Sequence, residues 1–554
     1  MSASCPRAVA ILALTLLLGA TPHTAAQAQP ASVVSTDAAG HLGNGDSFLP
    51  AITPDGRYVV FETLAKNLAV PDVGNFRDIV LKDLQTGAVE CISVDSNEVQ
   101  ATAHCFDPAI SADARYVVFD SYAAALVPND FNGFDDVFLR DRVAGTTTRI
   151  SLTDTGTESG GDSSNAWITP DGRYVAFQSM GDLVPPWHPG SYNIYVRDLQ
   201  TGTITLETHD ADLQSGWGDS REPVLTPDAR YVAFSSGSNE LVPDDNNTSS
   251  DVFVRDRLLD TVERVSVDSL GVEHVKDSIE PCISDDGRYV AFVSYAFLDP
   301  ADDNSDRDIY VRDRQLGITK LITPYSKGGI FDSPASWEPV ISADGRWVVF
   351  QSDSFMLVPG DTNGFRDLFV HDLMHGITQR VTYDFAGGQT NEISLTPAIT
   401  PDAHTIAFAS KASDLVATDG NGKQDVFLMA LGPWEDVGSA LAGLSGAPAL
   451  AGHGTLEAGA SCDLTLSAAA PTAPSLLFVA LTSAPVPFKG GQLVAFPFVA
   501  QAVLVTGGTG DLVLPFVWPA GVPASTHLDF QCAVKDAGAV AGVALSNALD
   551  ALTP

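Results

Sequence analysis

Apolar and polar positions follow one another in a fixed four-part order along most of the chain. A short apolar run such as Pro223-Val224-Leu225 ends at an Asp-centred turn, and a longer one, Arg230-Tyr231-Val232-Ala233-Phe234, follows it. A third, Asp251-Val252-Phe253-Val254-Arg255-Asp256, is bracketed by carboxylates. A fourth, Glu263-Arg264-Val265-Ser266-Val267, alternates apolar with polar. Consecutive apolar residues mean burial on both faces, whereas a period of two marks a strand with one face in water. The pattern predicts four-stranded units whose second and third strands are enclosed and whose fourth is outermost.

These units repeat. The segment Thr53-Pro54-Asp55-Gly56-Arg57-Tyr58-Val59-Val60-Phe61 returns with its Asp at Asp55, Asp113, Asp171, Asp228, Asp286, Asp344 and Asp402, spaced by 58 residues in five intervals and 57 in the other. Self-similarity at a fixed period signals a repeat architecture. Seven copies with so little drift describe a closed ring better than an open array, and enclosed inner strands with a wetted outer one are what a propeller blade needs. The predicted fold is all-β: a seven-bladed β-propeller over residues 29–432, followed by a small C-terminal β-sandwich over 433–554. The seventh copy runs through Asp425-Val426-Phe427-Leu428 and leaves for Gly432-Pro433 without a fourth strand. Val33-Val34-Ser35-Thr36-Asp37 matches the fourth strand Ile92-Ser93-Val94-Asp95 and is expected to complete that last blade, which removes two open edges.

The Ser/Thr-Pro-Asp-Gly-Arg-Tyr-Val-Ala-Phe pattern resembles the WD40-like PD40 repeat of TolB-like propellers, over residues 33–431. The resemblance implies the propeller fold and no particular activity. TolB itself carries an α/β domain ahead of a six-bladed ring, and here only a few residues precede the first blade, so a place in the Tol–Pal machinery is not implied. The turn also departs from the sialidase Asp-box, whose Gly stands one residue further from the Asp.

Residues 1–28 read as an export signal: Arg7 in a polar start, an apolar run from Ala8 to Ala20 too short for a bilayer, and a small-x-small cleavage site at Ala26-Gln27-Ala28. The expected location is therefore exported: secreted, periplasmic or on the cell surface, with no membrane span. The longest later apolar stretch, Leu493 to Val505, is interrupted by Pro497 and Gln501. A net charge of −39 argues against nucleic acid and anionic membranes, and a monomer is expected. Export permits disulfides, with Cys462 and Cys532, and Cys91 and Cys105, as the candidate pairs and Cys282 left over. After Trp434 charged residues become sparse. Apolar runs at 476–481, 493–499, 502–505, 512–517 and 528–534, separated by Gly/Pro turns, predict the β-sandwich.

A residue present in every blade serves the blade, since one site cannot use seven copies. The turn Asp and the Arg after it (Arg57, Arg115, Arg173, Arg230, Arg288, Arg346) are read as fold devices, the Arg pairing with a neighbouring carboxylate. The loop between second and third strands carries Asp-x-Asn-x-x-x-Asp in five blades: Asp130, Asn132, Asp136; Asp245, Asn247, Asp251; Asp302, Asn304, Asp308; Asp361, Asn363, Asp367; and Asp419, Asn421, Asp425. Blade one has the variant Asp72, Asn75, Asp78. Oxygen ligands at alternate positions of a curved chain suit Ca²⁺, while an Asx-rich turn whose last Asp opens a strand explains the same residues. Both readings stand. Blade three replaces the loop with Pro186-Trp187-His188-Pro189, and the next connection carries Trp217. Trp187, His188 and Trp217 are the candidate ligand residues, by stacking of rings on sugar faces; the alternative is a Trp packed beneath its own loop.

No Gly-x-Ser-x-Gly elbow, His-Glu-x-x-His or phosphate-cradling loop occurs. The function expected is an exported, non-enzymatic protein- or glycan-binding scaffold, with Ca²⁺ as the one candidate cofactor. The alternative is a propeller enzyme, a polysaccharide lyase or hydrolase, with its site on the loop-rich rim.

Overall fold

In a computed structural model of the protein, residues 31–552 are described except 70–71, 73, 186–189, 210–217, 305, 325–334, 359, 375, 432–433, 437–440, 443–446, 454–455, 457–459, 482–485, 490, 496–497, 508, 519–526, 540 and 542. The signal-like segment and the ligand candidates Trp187, His188 and Trp217 lie outside the described residues. The chain divides into two compact units, Gln29–Leu431 and Gly432–Pro554.

The first unit is a closed seven-bladed β-propeller. Six blades are four-stranded antiparallel meanders in sequence order, such as Ser220–Leu225, Tyr231–Ser236, Asp251–Asp256 and Thr261–Arg264. The seventh combines Ser394–Ile399, Thr405–Ser410 and Asp425–Ala430 with Ser32–Val33 from the start of the chain. Ser32 pairs with Leu428 and Val33 with Phe427. The Val34 N–H donates to Val426 O at 2.7 Å, and Ser35 Oγ donates to Asp425 Oδ1 at 2.6 Å. Closure by the chain's own beginning thus holds in the register the repeat predicts.

Burial follows the apolar pattern. Second and third strands are buried at almost every position, while fourth strands alternate, as at Thr261–Arg264. Six blades stack an aromatic of the second strand on one of the third, from Phe119–Phe138 to Phe408–Phe427, with centroids 5.8–6.1 Å apart. Offset stacking of this kind adds to the area term of burial.

Each turn is tied from both sides. Thr226 Oγ1 donates to Asp228 Oδ1 at 2.7 Å, and Arg230 N–H donates to the same oxygen at 3.0 Å. The Arg230 guanidinium then reaches Asp256 at the end of the third strand, 2.8 Å away, and lies over the Tyr231 ring at 4.7 Å. The same Arg–Asp pair recurs at Arg57–Asp83, Arg115–Asp141, Arg173–Asp198, Arg288–Asp313 and Arg346–Asp372. Blade seven has His404 where the others have arginine, and Ala430 where they have the aspartate; its His404 turns back to Asp402 instead.

The second unit is a β-sandwich-like domain. A five-stranded sheet orders Trp434–Asp436, Val543–Leu552, His527–Lys535, Pro474–Ala480 and Phe498–Val505. A three-stranded sheet orders Ala449–His453, Ser461–Ser467 and Leu512–Val517. Leu464, Leu466, Leu477, Leu514, Phe530 and Leu549 belong to one core between them. No helix among the described residues is long and apolar enough to cross a membrane.

Candidate functional site

The Asp-x-Asn loops are held together by their own side chains. In each of the five, the Asn side-chain amide donates to the last Asp, for example Asn132 to Asp136 at 3.0 Å and Asn304 to Asp308 at 3.1 Å. A Ser or Thr hydroxyl two residues past the fourth strand donates to the other oxygen of that Asp, as Thr323 does to Asp308 at 2.7 Å and Ser266 to Asp251 at 2.6 Å. The last Asp therefore locks the outer strand.

What neutralises the charge differs by blade. In blades two, four and six an arginine of the fourth strand enters the loop. Arg149 meets Asp130 at 3.1 Å, Asp136 at 3.0 Å and Glu158 at 2.8 Å. Arg264 meets Asp245 at 3.4 Å, Asp251 at 3.7 Å and Glu273 at 2.9 Å, and Arg380 meets Asp361 at 3.4 Å and Asp367 at 3.8 Å. Asp245, Asp251 and Glu273 bring ligand oxygens within 4.8 Å of one another, a donor set suited to a divalent cation. A guanidinium already stands among them.

Blades five and seven have no such arginine, because Leu321 and Val33 occupy its strand position. There Asp302 accepts from Tyr310 Oη, and Asp419 Oδ1 is buried without a hydrogen-bond partner among the described residues. Burial pushes Asp308 up to about 7 and Asp425 to about 6. In blade one Gln100 plays the arginine's part, donating to Asp78 at 2.6 Å and to Asp72 at 3.3 Å.

The sequence reading missed a second acidic feature, at the axis. Each innermost strand bulges at one residue with a left-handed backbone: Leu49, Asp107, Glu222, Glu280, Glu338 and Thr396, with Asn165 in blade three. A β-bulge frees an N–H from the ladder, and at Asp107, Asn165, Glu222, Glu280, Glu338 and Thr396 a side chain of the preceding blade accepts it. Glu62 accepts from Asp107 N–H at 2.8 Å, Glu222 from Glu280 at 2.8 Å and Glu280 from Glu338 at 2.7 Å. Burial raises Glu62 and Glu338 to about 7. The signal was present: this phase of the repeat reads Leu, Asp, Asn, Glu, Glu, Glu, Thr, polar in six of the seven blades although it lies in an inner strand.

Arginines and aromatics cluster at the same end of the ring as the loops. Arg77 pairs with Glu62 at 2.6 Å and lies 4.3 Å from the Phe48 ring centroid and 5.3 Å from that of Phe106. Arg366 lies 3.7 Å over Trp337, Arg221 4.3 Å over Tyr192 and Arg307 5.2 Å over Tyr295. These plates present a cation on a π face at several points around one opening.

His209 and His274 lie on successive inter-blade connections with separate acidic neighbours, Asp260 at 3.6 Å and Asp268 at 3.3 Å. A cleft of about 680 Å³ beside the outer strand of blade three is lined by Glu207, His209, Arg255 and Arg257 among others, and Glu207 pairs with Arg257 at 2.9 Å. The cysteines correct an expectation. The five among the described residues are free thiols: Cys91 Sγ lies 3.6 Å from Ser93 Oγ, and Cys105 Sγ donates to Ser121 Oγ at 3.4 Å. Cys462 and Cys532 sit in the sandwich core on different sheets, unjoined.

No protein-family model matches this chain, and no curated protein does. Among solved structures it is similar to a TolB from Agrobacterium tumefaciens described as putative, at 16% identity and a TM-score of 0.33, over 70% of this chain and 90% of that one. It is also similar to an acylaminoacyl peptidase from Pyrococcus horikoshii, at 12% identity and a TM-score of 0.39, over 76% of this chain but just 57% of the peptidase. Such likeness concerns the fold alone. The class of the protein, a closed seven-bladed propeller with a β-sandwich-like domain after it, rests on its own strands and registers.

Proposed function

We propose that the protein is an exported, non-enzymatic binding and scaffold module that takes a carbohydrate or protein ligand at the loop-bearing mouth of the ring. One observation carries the reading: the blades are uniform where they build the ring and diverge at that mouth, where Arg77, Arg221, Arg307 and Arg366 lie on aromatic faces. Aromatic faces and forked donors suit polar, ring-containing or extended ligands. In this reading Ca²⁺ stabilises the loops of blades five and seven, where no arginine fills the acidic turn.

The test compares the wild-type protein with Trp337→Ala and Arg366→Ala on a glycan array and in pull-downs. A glycan or protein bound by the wild type and lost by both variants supports the proposal. Equal binding by variants and wild type contradicts it, and cleavage of a polysaccharide by the wild type overturns the non-enzymatic reading.

A further inference from the structure

The edges of the sheets differ in how they are protected. The outer strands of the propeller are two to four residues long, and most carry a charge, among them Glu90, Arg149, Glu263, Lys320 and Arg380. In the second unit, the edge strand Trp434–Asp436 is three residues long and includes Glu435 and Asp436. The opposite edge of that five-stranded sheet is unprotected. Phe498–Val505 runs for eight residues, Phe-Val-Ala-Gln-Ala-Val-Leu-Val, with no charge, no proline and no glycine. It pairs with Pro474–Ala480 on one side and, among the described residues, with no strand on the other.

The core is open at the same place. Ala500, Ala502 and Leu504 of this strand pack on the sandwich core yet stay partly exposed, as do Leu512 and Phe516 of Leu512–Val517. Among the described residues the second unit exposes five large apolar side chains, and Val503, Val505, Val513 and Val517 are four of them. Val503 is 80% exposed and Val505 59%. A strand edge presents a row of N–H and C=O groups that another extended chain satisfies. Pro515 breaks that row in Leu512–Val517, which leaves Phe498–Val505 as the pairing strand.

We propose that Phe498–Val505 docks the same strand of a second copy, antiparallel, across a twofold axis near Ala502. The two five-stranded sheets then become one continuous sheet. When a strand pairs with itself in this way, any charge near its middle meets the same charge of the copy. This strand has none. The net charge of −39 opposes association elsewhere on the chain, but residues 434–554 hold just eight acidic residues and two lysines, and none of these lies on the strand. A partner of opposite charge finds nothing to read on this edge, whereas an identical uncharged strand matches it in length and side chains. The joined edge takes Val503 and Val505 out of water and covers the open flank of the core.

The test is sedimentation velocity of the full chain at rising concentration, for wild type, Val503→Lys and Val503→Thr. Wild type is expected to pass from monomer to dimer. Val503→Lys, at a position open to water in the single chain, is expected to keep its melting temperature and to weaken the dimer by about tenfold, because two ammonium groups come to neighbouring rungs of the joined edge. Gln501→Lys, exposed on the same face, is expected to act alike, so that the reading does not hang on one variant. Val503→Thr keeps a β-branched, uncharged side chain and is expected to dimerise as wild type does. A wild type that stays monomeric at its highest soluble concentration overturns the proposal. So does a dimer that both lysine variants leave intact, and so does equal loss of the dimer in Val503→Thr, which would mark a greasy contact rather than paired strands.

Discussion

The arginines fall into two sets with different work. Those after the turn are part of the blade: Arg346, 6% exposed, reaches a fully buried Asp372 at 2.8 Å and stacks on Trp347. Removing the guanidinium takes the forked counter-charge from a buried carboxylate, so Arg346→Ala is expected to cost about 3 kcal/mol in denaturant unfolding. Arg346→Lys is expected to recover part of that loss, since an ammonium lacks the fork and the planar stack. Those on fourth strands neutralise the acidic loops. Arg264→Ala leaves Asp245, Asp251 and Glu273 facing one another, again at a cost of about 3 kcal/mol, and millimolar Ca²⁺ is expected to restore much of it. A Ca²⁺ response no larger than in wild type would show that this donor set does not close on a metal.

At the scale of the strand and turn, the blade was readable because its devices recur. The Asp turns, the enclosed second and third strands, and the completing strand at Val33–Ser35 all follow from period and phase. The bulge was not readable, because its hydrogen bond runs to the neighbouring blade and no local spacing encodes that. The acidic loops showed their residues but not their counter-charge: Arg149, Arg264 and Arg380 approach from another strand, 19 residues from the first Asp in each case. In the second domain, Ala449–His453 and Val543–Leu552 form strands the apolar runs did not announce, being rich in Ala and short of β-branched residues.

The turns make a direct prediction. Gly287 has φ +70°, and a Cβ there would lie 2.3 Å from the Tyr231 ring. Gly287→Ala is expected to cost about 2 kcal/mol. The equivalent Ala229 already sits at φ 54° with its methyl buried. Ala229→Gly trades relief of backbone strain against about 0.8 kcal/mol of lost burial, so denaturant melts should show almost no change.

For the whole molecule the balance of charge sets the pH response. Glu62, Asp308 and Glu338 are raised to about 7, and Asp78, Asp251 and Asp425 to about 6, all chiefly by burial. The folded state therefore binds more protons than the unfolded chain, whose carboxyls titrate near 4, and stability falls as pH rises from about 4 to about 7. Asp198, lowered to about 2 by Arg173, works the other way and loses its contribution as pH falls below about 4. Melting temperatures in low salt are expected to peak near pH 5, with Ca²⁺ recovering part of the loss at pH 7.5. A steady rise from pH 5 to 8 would contradict this.

Ring closure is the claim on which the rest depends, because the loops, the bulges and the channel mouth share one frame only if the seventh blade is completed. Val34 is 1% exposed and Ser35 fully buried against that blade. The direct measurement is thermal unfolding of the chain begun at residue 38 beside the chain begun at residue 29. The shorter chain is expected to melt several degrees lower and to associate with rising concentration through the bared edge of Asp425–Ala430. Identical melting and an unchanged state of association would contradict closure by the N-terminal strand.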